Sequence, residues 1–375
     1  MLTSWDDYPV HQVAETIRHV GTSDRNFYDR YYFNLHGSSD ELFLIMGMGQ
    51  YPNLGTHDAF ASVRRGDGYH VVRASKPLVD RMDNSVGPFR IEIVEPLKKL
   101  RVVLEPTEHA IAFDLSWEGA IPAFEEPRQY IRKFGRVLFD TMRLAQTGCW
   151  TGGLEVAGEH FAVTPDRWKG TRDRSWGVRP VGEAEPAGIR GETGQMVGLW
   201  NYAPMQFDDF SILYICQEEP DGTRTLEEAV RIWADPSRSP EWLGRPEFEH
   251  TLDPGTRMMS KPSTLRFPHA PGGAVSVRVE PLVHSYIAVG AGYGVGDDWR
   301  HGMYLGPELV VEGKSWSMAE LETWGWYGVV DHVARFTLSG PDAAAGAVGY
   351  GLHEHGIFGP FPKLGLNDPH GTAPA

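Results

Sequence analysis

Trp168-Lys169-Gly170-Thr171-Arg172-Asp173-Arg174-Ser175-Trp176-Gly177-Val178-Arg179-Pro180 packs charge and indole into one short run. Surface loops rarely need two large indoles, and cores rarely accept arginines. A segment carrying both predicts a polar cluster set into an aromatic wall, as in many binding and catalytic sites. Read as a strand, its side chains sort by alternation. Thr171, Asp173 and Ser175 take one face, and Arg172, Arg174 and Trp176 take the other. Only one of these faces can look into a given cavity. On an apolar wall, desolvation would raise the Asp173 pKa and a nearby arginine would lower it. A carboxylic acid held near neutrality can give or take a proton in a reaction. The plainer reading is a buried ion-pair knot of Arg172, Asp173 and Arg174, with an indole stacked on a guanidinium. At this level both readings stand.

Outward from this run the chain reads as strands. Tyr31, Phe33 and Leu35 alternate with Tyr32, Asn34 and His36, and Glu41 to Met48 is a second apolar run. Ala59 to Arg65 and Tyr69 to Ala74 flank Gly66-Asp67-Gly68, a strong hairpin signal. Phe89, Ile91 and Ile93 share one face, and Val275, Val277 and Val279 another. Later strands are predicted at Met196–Tyr202, Phe210–Gln217, Thr225–Trp233, Phe248–Leu252, Ser263–Phe267, Gly302–Val311, Gly328–Leu338 and Ala347–His355. Period-2 alternation with short turns argues for antiparallel sheets. One segment breaks the pattern. Ile131, Phe134, Leu138, Met142 and Ala145 recur at spacings of three and four before Gly148, which predicts a bracing helix over about 128–147. The expected layout is a lead-in over 1–28 with a short helical possibility at His11–His19. One β domain follows over 29–160, a second over 161–360, and then a fraying tail over 361–375.

Composition limits the function classes. Fifty acidic against 35 basic residues give a net charge of -15, with no basic footprint for nucleic acid. Two cysteines, Cys149 and Cys216, are too few for a disulfide scaffold and show no metal-type spacing. Without a leader-like N-terminus or an apolar run long enough to span a membrane, the chain reads as cytoplasmic. The 12 tryptophans suit either a large core or a pocket for a flat or greasy ligand. No nucleotide-binding, hydrolase-elbow or zincin motif is visible, so no cofactor is expected.

Asp173-Arg174-Ser175-Trp176-Gly177, as Asp-x-x-Trp-Gly between two β-rich halves, resembles the carotenoid 1,2-hydratase (hydroxyneurosporene synthase) and AttH-like group. That resemblance implies an all-β fold of two tandem lipocalin-like antiparallel β-barrel or sandwich domains with the one bracing helix. In the hydratases the segment reads Tyr-x-Asp-x-Asn-Trp-Gly, and its aspartate is the acid acting on an isoprenoid double bond. The resemblance thus implies an acid role for Asp173 and favours the Asp173 face. Thr171 stands where the tyrosine would be and Ser175 where the asparagine would be. The hydratases' upstream histidine has no equivalent at matching spacing.

Other candidate ligand-binding residues are aromatic: Trp200 and Tyr202 on one strand face, and Trp324, Trp326 and Tyr327 beside Asp331 and His332. Each is equally at home in a core. His353 and His355 share a strand face and could begin a zinc or iron site, but no third ligand is identifiable. The leading expectation is an enzyme using cofactor-free acid/base chemistry (hydration, dehydration, isomerisation or cyclisation) on a hydrophobic small molecule of terpenoid, steroid or polyketide type. Asp173 would be its acid or base, with Arg172, Arg174 and Trp176 around the ligand. The alternatives are a non-catalytic carrier of an apolar ligand and a carbohydrate-binding β-sandwich protein, for which no carboxylate pair is legible.

Overall fold

The computed structural model describes residues 2–133, 135–181, 197–293, 298–324, 328–341, 345–368 and 373. The chain is almost wholly β, in two curled antiparallel sheets that each form a half-barrel. Along the first sheet the main strands run Val310–Ser317, Gly68–Pro77, Thr56–Arg65, Phe43–Tyr51, Phe27–His36, Lys169–Val178, Arg136–Val156, Ile111–Gly119, Lys99–Leu104 and Phe89–Glu95. The second runs Arg224–Trp233, Phe210–Glu218, Gly198–Gln206, Val348–Phe358, Val329–Ser339, Val275–Ser285 and Ser263–Phe267, with short strands at both edges. Among the described residues the α-helix is one short turn, Met318–Thr323, capped by the Ser317 hydroxyl accepting from the Glu320 N–H at 3.0 Å.

Each half-barrel wraps its own apolar core. Phe33, Leu35, Trp117 and Trp150 fill the first, and Tyr214, Phe267, Phe336 and Leu338 the second. The sheets also meet back to back, through Tyr32, Phe43, Ile45 and Phe60 on one side and Tyr202, Ile215, Val333 and Leu352 on the other. Central strands are therefore covered on both faces. All nine residues of Phe43–Tyr51 and of Phe210–Glu218 are buried. This explains why both read as continuous apolar runs rather than clean alternation.

The same double covering accounts for a misreading. Residues 128–147 form no helix: they are the Gln129–Lys133 strand, a turn at Gly135, and the start of the 21-residue Arg136–Val156 strand. That strand changes neighbours along its length, pairing with five short or central strands. Its buried positions therefore follow no single period, and Ala145 to Gly148 are buried consecutively. The lead-in at His11–His19 also carries no helix. The tail is anchored rather than frayed at its start, because Phe361 and Leu366 sit in the second core at 1% exposure. The expected strand at Gly302–Val311 begins only at Val310, and it joins the first sheet beside Gly68–Pro77.

The opening run lies at the centre of the first sheet. Lys169–Val178 is hydrogen-bonded on one edge to Phe27–His36 and on the other to Arg136–Val156. Two glycines allow this. A Cβ at Gly170 would meet the Asn34 carbonyl at 2.0 Å, and Gly177, at φ +125°, would bring one within 2.1 Å of the Asp140 carbonyl. A side chain at 177 faces both a strained backbone and a backbone clash. Gly177→Ala is expected to lower unfolding free energy by about 2 kcal/mol or more. Urea denaturation with an unchanged m-value would register this, and an unaltered midpoint would contradict it.

Candidate active site

A cavity of about 160 Å³ lies where the two sheets meet. Alternation decides who lines it. Asp173 and Ser175 look into it, as do Tyr28, Arg30 and Tyr32 from the neighbouring strand and Thr141 and Arg143 from the other side. Glu126, Arg179, Trp200, Tyr293 and Glu354 also form part of the wall. The strand register places Asp173 directly beside Tyr32 and Ala145. Its carboxyl is reached from the cavity yet is surrounded by protein. Burial raises its pKa to about 7, opposed by Arg143 and assisted by the charges of Glu126 and Glu354.

The charged groups around Asp173 are individually fixed. The Arg143 guanidinium donates from Nε to Glu126, which is 4% exposed, and lies 4.6 Å over the Tyr202 ring and 5.3 Å over Trp200. Trp200 donates its indole N–H to Glu354. The Tyr32 hydroxyl donates to Asp331 at 2.6 Å. Asp331 is fully buried, and burial, reinforced by the neighbouring Glu354 charge, pushes its pKa well above the usual carboxylate range. Arg30 donates to His301 Nδ1 at 2.6 Å, His301 Nε2 lies 2.9 Å from the Ala291 carbonyl, and the guanidinium sits 4.8 Å from the Tyr293 ring centre. The cavity thus pairs a near-neutral acid with a fixed carboxylate, Glu354, within an aromatic and cationic frame.

The candidate residues divide. Asp173 and Trp200 line this cavity, and Tyr202 lies beneath it as a support for Arg143. Arg172, Arg174 and Trp176 occupy the opposite face, toward the interior of the first half-barrel. Arg172 donates to Gln146 at 2.7 Å, and Arg174 pairs with Asp29 at 2.5 Å and stacks 4.5 Å over Tyr31. The arginines therefore do not knot around Asp173. Trp324 is 49% exposed at the end of the short helix, edge-on to Trp316. Trp326 and Tyr327 lie outside the described residues.

His332 faces the interior of the second half-barrel. There it joins His353 and His355, the pair noted in the sequence, together with His250 and His284. Ring centres in this group lie 5.2–6.0 Å apart. Among the described residues no three His, Cys, Asp or Glu side chains are arranged to hold a metal ion. Alternation in His353-Glu354-His355 sends both histidines inward and Glu354 to the cavity, so the useful residue was the one between them. Arg143 was hidden by the helical reading of its segment. Glu126, Arg30 and Tyr293 carried no spacing signal.

The model of a family of unknown function, DUF8625, matches residues 2–367. No curated protein matches the chain in sequence. Among solved structures, kievitone hydratase from Nectria haematococca aligns over 90% of this chain and 93% of its own, at 15% identity and a TM-score of 0.51. A candidate AttH protein from Nitrosomonas europaea covers 93% and 98%, at 12% identity and 0.54. CghA bound to Sch210972 covers 89% of each chain, at 12% identity and 0.50. At these identities the likeness is one of fold.

Two pH effects follow from the buried groups. A raised Asp173 pKa means the folded state holds a proton that the unfolded state releases above about 4. Its contribution to stability is present at acid pH and lost as pH rises through about 7. Asp173→Asn should therefore raise the melting temperature relative to the parent at pH 8 and leave the difference small near pH 4. Parallel melting curves across that range would contradict it. The histidines act in the opposite sense. Burial lowers His284, His353 and His355 to about 3, so their contribution is present above 6.5 and lost as pH falls toward 3. His353→Phe should flatten the acid limb of the stability profile in denaturant titrations.

Proposed function

The chain belongs to this family of unknown function, and we propose that it is an enzyme of hydratase or cyclase type that acts on a hydrophobic small molecule by acid/base chemistry. One observation carries the reading: the Asp173 carboxyl, with a pKa of about 7, lies on the wall of the cavity between the sheets. An acid poised near neutral pH can be protonated before the reaction and ionised after it, which is what general acid catalysis requires.

In this reading Asp173 delivers its proton to a double bond or a conjugated oxygen of the substrate. The electron-poor centre that forms is stabilised by the ring faces of Trp200, Tyr28 and Tyr293. Glu354, oriented by the Trp200 N–H, accepts the proton from an attacking water in a hydration, or from a substrate carbon in an isomerisation or cyclisation. Arg143, held by Glu126 and by the Tyr202 face, opposes the rise in the Asp173 pKa and keeps it within reach of neutrality. Two of the structural relatives are described as a hydratase and as a protein bound to a small molecule, which is in keeping with this chemistry. The isoprenoid substrate implied by the Asp-x-x-Trp-Gly resemblance is one candidate class, alongside prenylated phenols and polyketides.

The test is incubation with a panel of terpenoids, prenylated phenols and linear polyketides in heavy water, followed by mass spectrometry. Turnover should place solvent deuterium at one carbon, with addition of heavy water in a hydration or with a gain of one mass unit in an isomerisation or cyclisation. Asp173→Asn should reduce turnover by about 10²–10⁴-fold while leaving ligand affinity within a small factor. Turnover that survives Asp173→Asn removes this mechanism. Saturable binding with ligand recovered unchanged identifies a carrier instead.

A further inference from the structure

The interior of the first half-barrel holds a second cavity, of about 180 Å³, on the side of the sheet facing away from Asp173. Strand register builds its wall as a polar row. Asp29, Gln50, His57 and Lys76 stand side by side across four adjacent strands, and Arg174, Tyr31 and Met48 form the next row in. The apolar core of the half-barrel lies beyond. Arg81 reaches in from the loop above. The lead-in closes over the mouth: Asp6 accepts from the Ile17 N–H at 2.7 Å, and Arg18 donates to the Val79 carbonyl at 3.0 Å.

The charges here do not balance. Arg81 and Arg174 share Asp29, at 3.3 and 2.5 Å, and Lys76 is taken by Asp83 at 2.5 Å. Three cations thus face two carboxylates. Arg172, on the same face and 2% exposed, has the neutral Gln146 oxygen as its one side-chain acceptor among the described residues. Arg81 Nε and Arg172 Nη2 are buried without a hydrogen-bond partner among the described residues. His57 borders the cavity at 0% exposure, and neither of its ring nitrogens has a partner among the described residues. Buried donors and an uncompensated positive charge are unfavourable unless an acceptor of negative charge arrives. Ile17, Met48 and Met82 give the lining an apolar side, and Asn84 adds one neutral polar group.

We propose that the interior of the first half-barrel is a second ligand site, taking a small organic carboxylate. The anionic group seats against Arg81 and Arg174, its short apolar body lies against Met48, Met82 and Ile17, and His57 makes one hydrogen bond to it. This site is independent of the chemistry assigned to Asp173.

Calorimetric titration of the full chain with benzoate and hexanoate, set against benzamide and hexanamide as neutral isosteres, tests it. The acids should bind saturably and about tenfold or more tighter than the amides, since the charged contacts discriminate between them. Arg174→Met, on a partly exposed side chain, should remove that discrimination while leaving weak amide binding. Met48→Trp, which fills the cavity from the same row of the sheet, should abolish binding of both and serves if the arginine variant does not fold. Asp173→Asn should bind the acids as the parent does. The proposal is overturned by equal affinity for acid and amide, or by no saturation up to about 10 mM. Parent-like acid binding in the Arg174→Met or Met48→Trp chain also overturns it, as does loss of binding in the Asp173→Asn chain.

Discussion

The structure depends on one strand whose two faces look into different compartments. Lys169–Val178 has a hydrogen-bonded partner along each edge, one half-barrel's interior on one side and the inter-sheet cavity on the other. A one-residue slip would exchange every side chain between the two compartments. Register is held by close backbone approach at Gly170 and Gly177, and by Asn34. The Asn34 side chain accepts from the Thr171 N–H at 2.9 Å, and its carbonyl accepts from the Trp150 indole at 2.8 Å. The same constraint sends the carboxylate of this strand to one compartment and its guanidinium groups to the other.

That separation has an energetic logic. Had Arg172 or Arg174 paired with Asp173, the carboxyl would be held ionised and could not serve as an acid near neutral pH. Giving Arg174 to Asp29 and Arg172 to Gln146 leaves Asp173 with Arg143, which is already engaged by Glu126. The acid therefore feels a cation whose charge is largely satisfied elsewhere. Asp331, deeper and beside Glu354, illustrates the limit of burial without such a cation, since its pKa is driven well above the usual carboxylate range.

Much of this was legible in the sequence where alternation alone sorts the side chains. Alternation in Thr171 to Trp176 divided that segment correctly, and the short-turn pattern gave two antiparallel sheets. Legibility failed where both faces are covered. In Arg136–Val156 changing neighbours erased the period-2 signal and left apolar spacings that imitate a helix, concealing Arg143. Glu126, Arg30 and Glu354 come from strands or loops far apart in the chain, and only the packing of one sheet against the other brings them together. Trp324 shows the converse: a conspicuous aromatic in sequence that folds onto the surface.

The Val310–Ser317 strand, added to the outer edge of the first sheet from deep in the second half of the chain, has a bearing on biosynthesis. The strand it covers, Gly68–Pro77, is translated some 240 residues earlier. Until the later segment emerges from the ribosome, that edge presents unpaired amides and carbonyls to any other nascent chain. The first half-barrel is thus left unfinished during most of translation, and the late strand acts as a latch that closes it only when the second is nearly made.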